Sequence, residues 1–303
     1  MRHFLDLTDV TKDELAGLLQ EAARLKASQK RGEHNARLAH RLISLVFEKP
    51  SLRTRVSFEA AIVQMGGTSM FLPAADVGLG WRESIEDFAR TMSHYVDAVV
   101  LRVFKHSTVA DMATAAACPI INGLSDAAHP CQAAADLLTI QEVCGKVEGQ
   151  TVAFIGDGNN VARSLAIGCS MLGARFRLAA PSGYGFSNAF LKQLQSINTN
   201  GKFESFDDPV QAVRDADILY TDVWTSMGQE AEREERLKHF AGFQINSKLL
   251  AGAPKHAKVM HCLPAHRGEE IAGDVLDGPQ SVAFEQAGNR LHAQKAILEW
   301  LLA

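Results

Sequence analysis

The residues best suited to chemistry lie in Ser51-Leu-Arg-Thr-Arg55, which follows an apolar strand predicted over 42–47. Ser51 is a good helix N-cap, and Arg53 and Arg55 fall in the first turn behind it. The positive end of a helix dipole disfavours cations, so two arginines there indicate an expected anion. Free backbone N–H groups at the same end favour a phosphate. The ordinary alternative is a surface helix whose arginines merely point into water. The combination of a cap, a hydroxyl and two guanidinium groups in one turn disfavours that alternative.

Two further strand ends carry polar side chains. Arg102 lies near the end of a strand predicted over 98–103, and His129-Pro-Cys-Gln132 follows a strand predicted over 119–122. Because ligands bind beyond the carboxyl ends of strands in open parallel sheets, we expect these groups to meet at one edge. Each has an ordinary alternative: Arg102 could pair with Asp97, and a lone His129 is more often a satisfied helix-end histidine. Their coincidence favours a ligand site.

A glycine turn, Gly156-Asp-Gly-Asn-Asn160, follows a strand predicted over 151–155 in the second half of the chain. Its spacing invites a dinucleotide-binding interpretation, but Val161 stands where the third glycine belongs and no acid ends the next strand. The amides of Asn159 and Asn160 at the helix N-terminus better suit the carboxylate or amine of an amino acid.

Two later strand ends carry Asp222 and Cys262. We expect Asp222 to be exposed and, with the small-residue loop Ser226-Met-Gly228 behind it, to bind a substrate ammonium group. Cys262, within His261-Cys-Leu-Pro264, is expected to face the same cleft. A surface loop and a buried structural cysteine are the ordinary alternatives. A zinc site is not predicted, because the cysteines show no Cys-x-x-Cys spacing and a lone cysteine without partners is usually a buried structural residue.

A recurring strand-then-helix pattern positions these residues. It predicts an α/β protein of two consecutive doubly wound parallel-sheet domains, separated by a hinge at 145–149. The predicted helices cover 8–30, 52–65, 83–95, 107–117, 130–143, 160–172 and 285–303. The predicted strands cover 42–47, 98–103, 119–122, 151–155, 175–180, 217–221, 257–262 and 281–284.

Bulk properties limit the possible functions. A chain of 303 residues suits two domains of about 150 residues each. The net charge of −4 gives no support for a nucleic-acid-binding surface, so an anionic substrate requires a local cationic cluster. Five cysteines without Cys-x-x-Cys spacing, an acidic N-terminal segment and no apolar run of ~18 residues predict a cytoplasmic protein without a disulfide framework or a membrane association.

Taken together, the motifs resemble those of the aspartate/ornithine carbamoyltransferase family over essentially the whole chain. Ser51–Arg55 resembles the family's Ser-Thr-Arg-Thr-Arg motif, and His129–Gln132 matches its His-Pro-x-Gln motif. Those two motifs specify the carbamoyl donor. Asp222 with Ser226–Gly228, together with His261–Pro264, is similar to the ornithine-using members, whereas the aspartate-using members have His-Pro-Leu-Pro and no Ser-Met-Gly loop.

The resemblance implies transfer of the carbamoyl group of carbamoyl phosphate to the δ-amine of L-ornithine, giving L-citrulline and phosphate, as in arginine biosynthesis. It implies a carbamoyl-phosphate-binding domain over 1–145 and an ornithine-binding domain over 146–285, with a C-terminal helix 286–303 that packs back on the first domain. It also implies a homotrimer or a multiple of trimers, and neither a metal nor a cofactor.

The site residues implied by the resemblance form two sets. Those for carbamoyl phosphate are Ser51, Leu52, Arg53, Thr54, Arg102, His129, Pro130, Cys131, Gln132 and Arg290. Those for ornithine are Asn160, Asp222, Ser226, Met227, Cys262 and Leu263. The residues implied to be catalytic are Arg102, His129, Cys262 and Arg290.

Two positions depart from the family pattern. Leu52 replaces a threonine, which we expect to matter little because backbone N–H groups bind there. Gly78 stands where many relatives carry a glutamine that contacts the phosphate, and Arg82 is the candidate to compensate.

Three alternatives stay open. The acceptor could be another amine, such as putrescine or an acylated ornithine, although the Ser226–Gly228 loop argues against it. The chain could be a non-catalytic paralogue. Gly78 keeps that possibility open, and the retained Arg53, Arg102, His129 and Cys262 disfavour it. A nucleotide-dependent dehydrogenase is disfavoured by the incomplete glycine motif.

Overall fold

The computed structural model of the chain describes residues 1–33, 36–197, 201–226 and 228–302. Contacts between residues divide it into two compact units: Met1–Leu138 with Asn289–Ala303, and Thr139–Gly288. Each unit is built on one sheet in which all neighbouring strands are parallel, with helices in the connections. The predicted fold class is therefore confirmed.

The first unit has four strands in the order β2-β1-β3-β4. They are β1 (Leu42–Phe47), β2 (Thr68–Pro73), β3 (Ala98–Arg102) and β4 (Ile120–Leu124). Its helices are α1 (Lys12–Lys30), α2 (Leu52–Gln64), α3 (Ala74–Val77), α4 (Ile85–Met92) and α5 (His106–Ala115), after a 3₁₀ turn at Leu7–Asp9. Helix α6 (Pro130–Cys144) begins in this unit and continues into the second.

The second unit has five strands in the order β7-β6-β5-β8-β9. They are β5 (Thr151–Ile155), β6 (Arg175–Ala179), β7 (Lys202–Phe206), β8 (Ile218–Thr221) and β9 (Lys258–His261). Its helices are α7 (Asn160–Leu172), α8 (Asn188–Ser196), α9 (Pro209–Val213), α10 (Arg233–His239), α11 (Ser247–Leu250) and α12 (Gly273–Leu276), with a 3₁₀ turn at Glu230–Glu232. Helix α13 (Ala283–Leu302) begins here and continues into the first unit.

The order of the strands determines where each unit can hold a ligand. Strands β3 and β5 are buried at every residue, which explains why they are apolar except at Arg102 and Thr151. The direction of winding reverses between β1 and β3 in the first sheet and between β5 and β8 in the second. Ligands of doubly wound folds bind at such a switch point, beyond the carboxyl ends of the strands. Both switch points carry residues singled out in the sequence.

Prediction and structure differ mainly at sheet edges and element ends. The edge strands β2 and β7 are absent from the sequence prediction. Strand β7 is polar at three of its five positions, and β2, although apolar over residues 70–73, is not fully buried at any residue. The predicted strand 281–284 is wrong: Ser281 forms only an isolated bridge to Val259, and α13 already begins at Ala283. Helix α1 begins later than predicted, because Thr11 and Glu14 form its capping box.

None of the described helices has both the length and the apolar character needed to cross a membrane.

Candidate active site

Ser51 organises the first turn of α2. As the N-cap, its Oγ accepts a hydrogen bond from the Thr54 backbone N–H (3.3 Å) and donates one to Thr54 Oγ1 (3.0 Å). The backbone N–H groups of Leu52 and Arg53, the first two residues of the helix, have no acceptor within it and are therefore available to an anion. The Leu52 side chain is 75% exposed, and this residue therefore offers the turn only its backbone.

The two arginines of this turn have different surroundings. Arg55 is exposed, pairs with Glu59 (2.9 Å) and lies with its guanidinium carbon 3.8 Å from the centroid of the Phe71 ring. Arg53 is half-buried, and no described residue pairs with it through a hydrogen bond or an ion pair. Arg53 is thus the arginine of this turn that remains available to an anion.

Arg290 connects the start of α2 to α6. It lies on α13, is 3% exposed, and donates hydrogen bonds to Thr54 Oγ1 (2.7 Å) and to Gln132 Oε1 (3.0 Å). Gln132 in turn donates from Nε2 to Asp136 Oδ1 (2.8 Å). Three predicted site residues that are distant in sequence are thereby brought into one hydrogen-bonded chain. Since Thr54 Oγ1 accepts two hydrogen bonds, its own proton can be donated to a ligand.

His129 and Arg102 are buried near the hydrogen bonds of Arg290. Arg102 ends β3, where it pairs in register with Phe47 of β1, and it is 6% exposed. Burial lowers the pKa of His129 well below 6.5, and the guanidinium groups of Arg290 and Arg102 lower it further. His129 is therefore neutral at pH 7 and can donate an N–H hydrogen bond without adding a charge.

Pro130 and Cys131 begin α6. Cys131 is fully buried, with Sγ 3.5 Å from the Asn122 carbonyl oxygen, and burial raises the pKa of its thiol to about 12. The thiol stays protonated and turned into the protein, so Cys131 can offer a ligand only its backbone. We call the following residues the cationic cluster: Ser51, Arg53, Thr54, Arg102, His129, Gln132 and Arg290.

Two buried polar side chains of the first unit were not singled out in the sequence. Lys49 is 8% exposed, and its Nζ lies 4.3 Å from the centroid of the Phe104 ring. Ser125 Oγ accepts a hydrogen bond from Asn122 Nδ2 (3.1 Å) within the turn that leads to His129. The signal for Lys49 is available in the sequence, since a lysine between a buried strand and an N-cap is unusual. Ser125 gives no such signal.

The glycine turn after β5 has a steric origin. The Gly158 N–H donates to the Tyr184 carbonyl oxygen (2.8 Å), and a Cβ at Gly158 would lie 3.0 Å from the Gly185 carbonyl carbon. Gly156 has a φ of +144°, which favours glycine. Both glycines are accounted for without a bound dinucleotide.

Asn159, rather than Asn160, makes the connection to the next strand end. Asn159 is the N-cap of α7, and its Nδ2 donates to Asp222 Oδ2 (2.8 Å). Asn160 is partly buried, and its Oδ1 accepts a hydrogen bond from the Val161 backbone N–H (3.0 Å). Sequence analysis named both amides, and the structure gives them different partners.

Asp222 and Cys262 lie side by side because β8 and β9 pair Thr221 with His261. Cys262 Sγ donates to Asp222 Oδ1 (2.9 Å), which also accepts from the Val223 backbone N–H (2.8 Å). Asp222 is only 9% exposed, so the expectation of an exposed aspartate is wrong. Its carboxylate is held at the strand end by partners on both sides.

Sequence reasoning also missed the buried pair formed by His261 and Glu270. Both side chains are fully buried, with His261 Nε2 3.0 Å from Glu270 Oε1. The Leu263 backbone N–H donates to His261 Nδ1 (2.9 Å), so the ring proton resides on Nε2. This contact holds Leu263 at a φ of +56° and so fixes the direction of its carbonyl group.

The loop after Asp222 is described at all of its residues except Met227. Ser226 is partly buried, and its backbone N–H donates to Gln229 Oε1 (3.0 Å). The predicted site residue Met227 lies outside the described residues. We call the following residues the acidic cluster: Asn159, Asn160, Asp222, Ser226, Cys262 and Leu263.

Gly78 has a conformation that excludes a side chain. It ends α3 with a φ of +68°, and a Cβ there would lie 2.5 Å from Arg82 Cβ. Arg82 itself is exposed. The local backbone thus explains why this chain has glycine at that position.

Two family models match the chain in succession. The model of the carbamoyl-P binding domain of aspartate/ornithine carbamoyltransferase matches residues 2–142, and that of the Asp/Orn binding domain matches residues 148–301.

Curated and solved relatives agree with the family models. The ornithine carbamoyltransferase of Acidothermus cellulolyticus is 51% identical over 306 residues, which cover 100% of this chain and 97% of the relative. A protein of Pyrococcus furiosus named ornithine carbamoyltransferase, anabolic, is 49% identical over 299 residues, which cover 98% and 95%. The solved structure of ornithine carbamoyltransferase from Pyrococcus furiosus matches with a TM-score of 0.95 at 48% identity and covers 99% of this chain and 97% of that one.

Proposed function

This chain belongs to the aspartate/ornithine carbamoyltransferase family, and we propose that its two clusters serve transfer of the carbamoyl group of carbamoyl phosphate to the δ-amine of L-ornithine. The products are L-citrulline and phosphate, and the reaction is a step of arginine biosynthesis. The observation that carries the assignment of the acceptor is the Asp222–Cys262 contact in the second unit. A carboxylate held at that strand end suits a cationic amino acid and would repel aspartate.

The cationic cluster binds the donor. The first-turn N–H groups of α2, together with Ser51, Arg53 and Thr54, hold the phosphate, and Arg53 neutralises its charge as it leaves. Arg102, His129, Arg290 and the Thr54 hydroxyl donate to the carbonyl oxygen, which becomes an oxyanion in the tetrahedral intermediate. Gln132 binds the carbamoyl NH₂ group, and Leu52, Pro130 and Cys131 contribute backbone.

Neutral His129 fits this role. An imidazolium between two guanidinium groups would be repelled by them, whereas a neutral ring still donates one hydrogen bond. The hydrogen bonds from Arg290 to Thr54 and Gln132 hold these side chains in position before carbamoyl phosphate binds. Such preorganisation avoids rearrangement during the reaction.

The acidic cluster binds the acceptor. Asp222, Asn160, Ser226 and Met227 bind the amino and carboxylate groups of ornithine, and Cys262 with the Leu263 carbonyl orients the δ-nitrogen. The neutral δ-amine then attacks the carbonyl carbon. The new N–C bond forms, the C–O bond to phosphate breaks, and the proton that the amine loses passes to the leaving phosphate. No cofactor takes part, because the acyl phosphate is already activated.

A panel of acceptors tests this function. The purified chain is given carbamoyl phosphate with L-ornithine, N-acetylornithine, putrescine or aspartate, and the carbamoylated product is measured. Turnover with ornithine alone is expected. Turnover with putrescine or N-acetylornithine instead would overturn the assignment of residues 222–228, and turnover with none of the four would favour a non-catalytic paralogue.

We further propose a homotrimer, or a multiple of trimers, in the cytoplasm. Support for self-association comes from one face of α2, where Leu52, Val56 and Val63 are 75%, 51% and 63% exposed. They are spaced by four and seven residues, so they share one side of the helix. A row of exposed apolar side chains is typical of an interface. Sedimentation equilibrium would give the mass, and a monomer would contradict the proposal.

A further inference from the structure

Arg236 is a buried cation in the second unit that the proposed reaction does not use. It lies on α10 and is 4% exposed. It forms an ion pair with Asp157 through Nη2, and its Nε donates to the Trp224 carbonyl oxygen (2.6 Å). A third contact, to Glu232 (3.2 Å), lies at the surface, because the Glu232 side chain is 58% exposed.

These contacts join two loops that lie at the switch point of the second sheet. Asp157 belongs to the glycine turn after β5, two residues before the α7 cap Asn159. Trp224 follows Asp222 by two residues, in the loop after β8. A hydrogen bond from Asn159 Nδ2 to Asp222 Oδ2 (2.8 Å) links the two loops directly, and Arg236 adds a further link beside it.

The hydrogen bond to Trp224 also closes a loop. It joins residues twelve apart in the chain, and the segment between them contains Ser226. Loops with adjacent ends that are held by their own side chains are frequently functional. Two aromatic rings lie beside the Arg236 guanidinium group, whose carbon is 4.9 Å from the centroid of the Tyr184 ring and 5.7 Å from that of the Phe240 ring.

Stability alone is a poor explanation for this arrangement. Removing a charged pair from water costs several kcal/mol per ion, and apolar residues of similar volume often replace a buried pair without loss. Burial raises the pKa of Asp157 even though Arg236 opposes that rise, which shows that the carboxylate pays a desolvation penalty here. What an apolar side chain could not provide is a directed hydrogen bond to the Trp224 carbonyl and a paired charge on Asp157.

We propose that Arg236 is a positioning residue for the amino-acid substrate: by bridging Asp157 and the Trp224 carbonyl, it fixes Asp222 and Ser226 where the substrate's charged groups bind. The inference rests on the proposed function. It makes Arg236 a determinant of ornithine affinity that has no contact with the donor.

Steady-state kinetics of Arg236→Gln test the inference. Misplacement of binding groups by about 1 Å costs on the order of 100-fold, so we expect the KM for ornithine to rise roughly 10- to 100-fold. The KM for carbamoyl phosphate should stay within about twofold of the wild-type value, because the substitution leaves the residues that bind carbamoyl phosphate unchanged. A merely structural defect would lower the amount of active enzyme and leave both KM values unchanged.

Three matched variants keep the test decisive. Arg236→Lys retains a charge for Asp157 but not the fork that also reaches Trp224, so its ornithine KM should be intermediate. Arg236→Gln with Asp157→Asn removes the uncompensated buried carboxylate and should restore thermal stability without restoring ornithine affinity. Arg233→Gln removes a cation from the same helix that is 49% exposed and pairs with Glu269, and it should behave as wild type.

The outcomes separate the two proposals. An ornithine KM equal to that of wild type in folded Arg236→Lys and in the double variant would overturn the positioning role alone. A proportional rise of both KM values would also overturn it. A wild-type chain that forms no citrulline would overturn the proposed function and this inference together.

Discussion

The cationic cluster and the acidic cluster occupy equivalent positions in two similar sheets and have opposite electrostatic character. Each lies at the switch point of a parallel sheet, on the loops behind the central strands. The first gathers three guanidinium groups and a neutral imidazole, whereas the second holds a carboxylate between an amide and a thiol. The comparison teaches that the sheet fixes where a ligand binds, and that the side chains on the loops decide its charge.

The clusters also differ in how their side chains are held. In the first, long-range hydrogen bonds from Arg290 fix Thr54 and Gln132. In the second, neighbouring strand ends fix one another, since the Thr221–His261 register sets Asp222 beside Cys262. Changes in one cluster should therefore leave the substrate of the other unaffected.

The largest expected effect comes from Arg53→Ala. Loss of the available guanidinium of the α2 turn should lower kcat/KM for carbamoyl phosphate on the order of 10³-fold, because charge stabilisation in a preorganised site is lost. Arg55→Ala, two residues away, is the control and should change kcat/KM by less than about twofold, since exposed ion pairs contribute little. Equal losses in both variants would contradict the division between these arginines.

A smaller effect is expected from Cys262→Ala. Removal of the thiol that donates to Asp222 should lower kcat/KM for ornithine by about 10- to 100-fold and leave the KM for carbamoyl phosphate unchanged. Cys144→Ala, at the end of α6, is the matched control. If the Cys262 variant instead lost donor affinity, the two clusters would not act separately.

The pH dependence of kcat/KM for ornithine should reflect deprotonation of the δ-amine of the acceptor. An amine of the lysine type has an ordinary pKa near ~10.4, so kcat/KM for ornithine should rise roughly tenfold per pH unit below that range. Burial and the neighbouring guanidinium groups keep the pKa of His129 well below 6.5, so no inflection near 6.5 is expected from the donor side. A flat profile from about pH 6 to 9, with chemistry rate-limiting, would contradict attack by the neutral amine.

The smallest effect concerns stability. Because the folded pKa of His129 lies below 6.5, both states are neutral above that pH, and below it the unfolded chain takes up a proton that the folded chain does not. As the pH is lowered below 6.5, the contribution of His129 to the free energy of unfolding should therefore fall, with a slope that approaches about 1.4 kcal/mol per pH unit. Chemical denaturation of His129→Gln at several pH values should show a shallower fall below pH 6.5 than that of the wild-type chain.

Much of this comparison is predictable from the sequence, and the reasons are local. Apolar runs such as 151–155 and caps such as Ser51 predict central strands and helix starts, because burial and capping act on consecutive residues. The edge strand β7 does not show such a run. Two other contacts, that of Arg290 with Thr54 and that of Asp222 with Cys262, depend on tertiary packing. The spacing of residues in the sequence does not show such packing.

The same limit explains the residues that sequence reasoning missed. Arg236 and Asp157 are separated by 79 positions, and each alone is an ordinary charged residue of a loop or a surface helix. His261 and Glu270 become recognisable as a pair only when both prove to be fully buried. The exposure of Asp222 was predicted wrongly, because its position after a strand does not reveal the partners that cover it.

Calorimetric titration with carbamoyl phosphate, in the absence of ornithine, tests the separation of the two clusters most directly. Wild-type chain and Asp222→Asn should bind the donor with the same affinity, whereas Arg53→Ala should bind it on the order of 100-fold more weakly. Wild-type affinity in Arg53→Ala, or an equal loss of affinity in Asp222→Asn, would contradict the assignment of the donor to the cationic cluster.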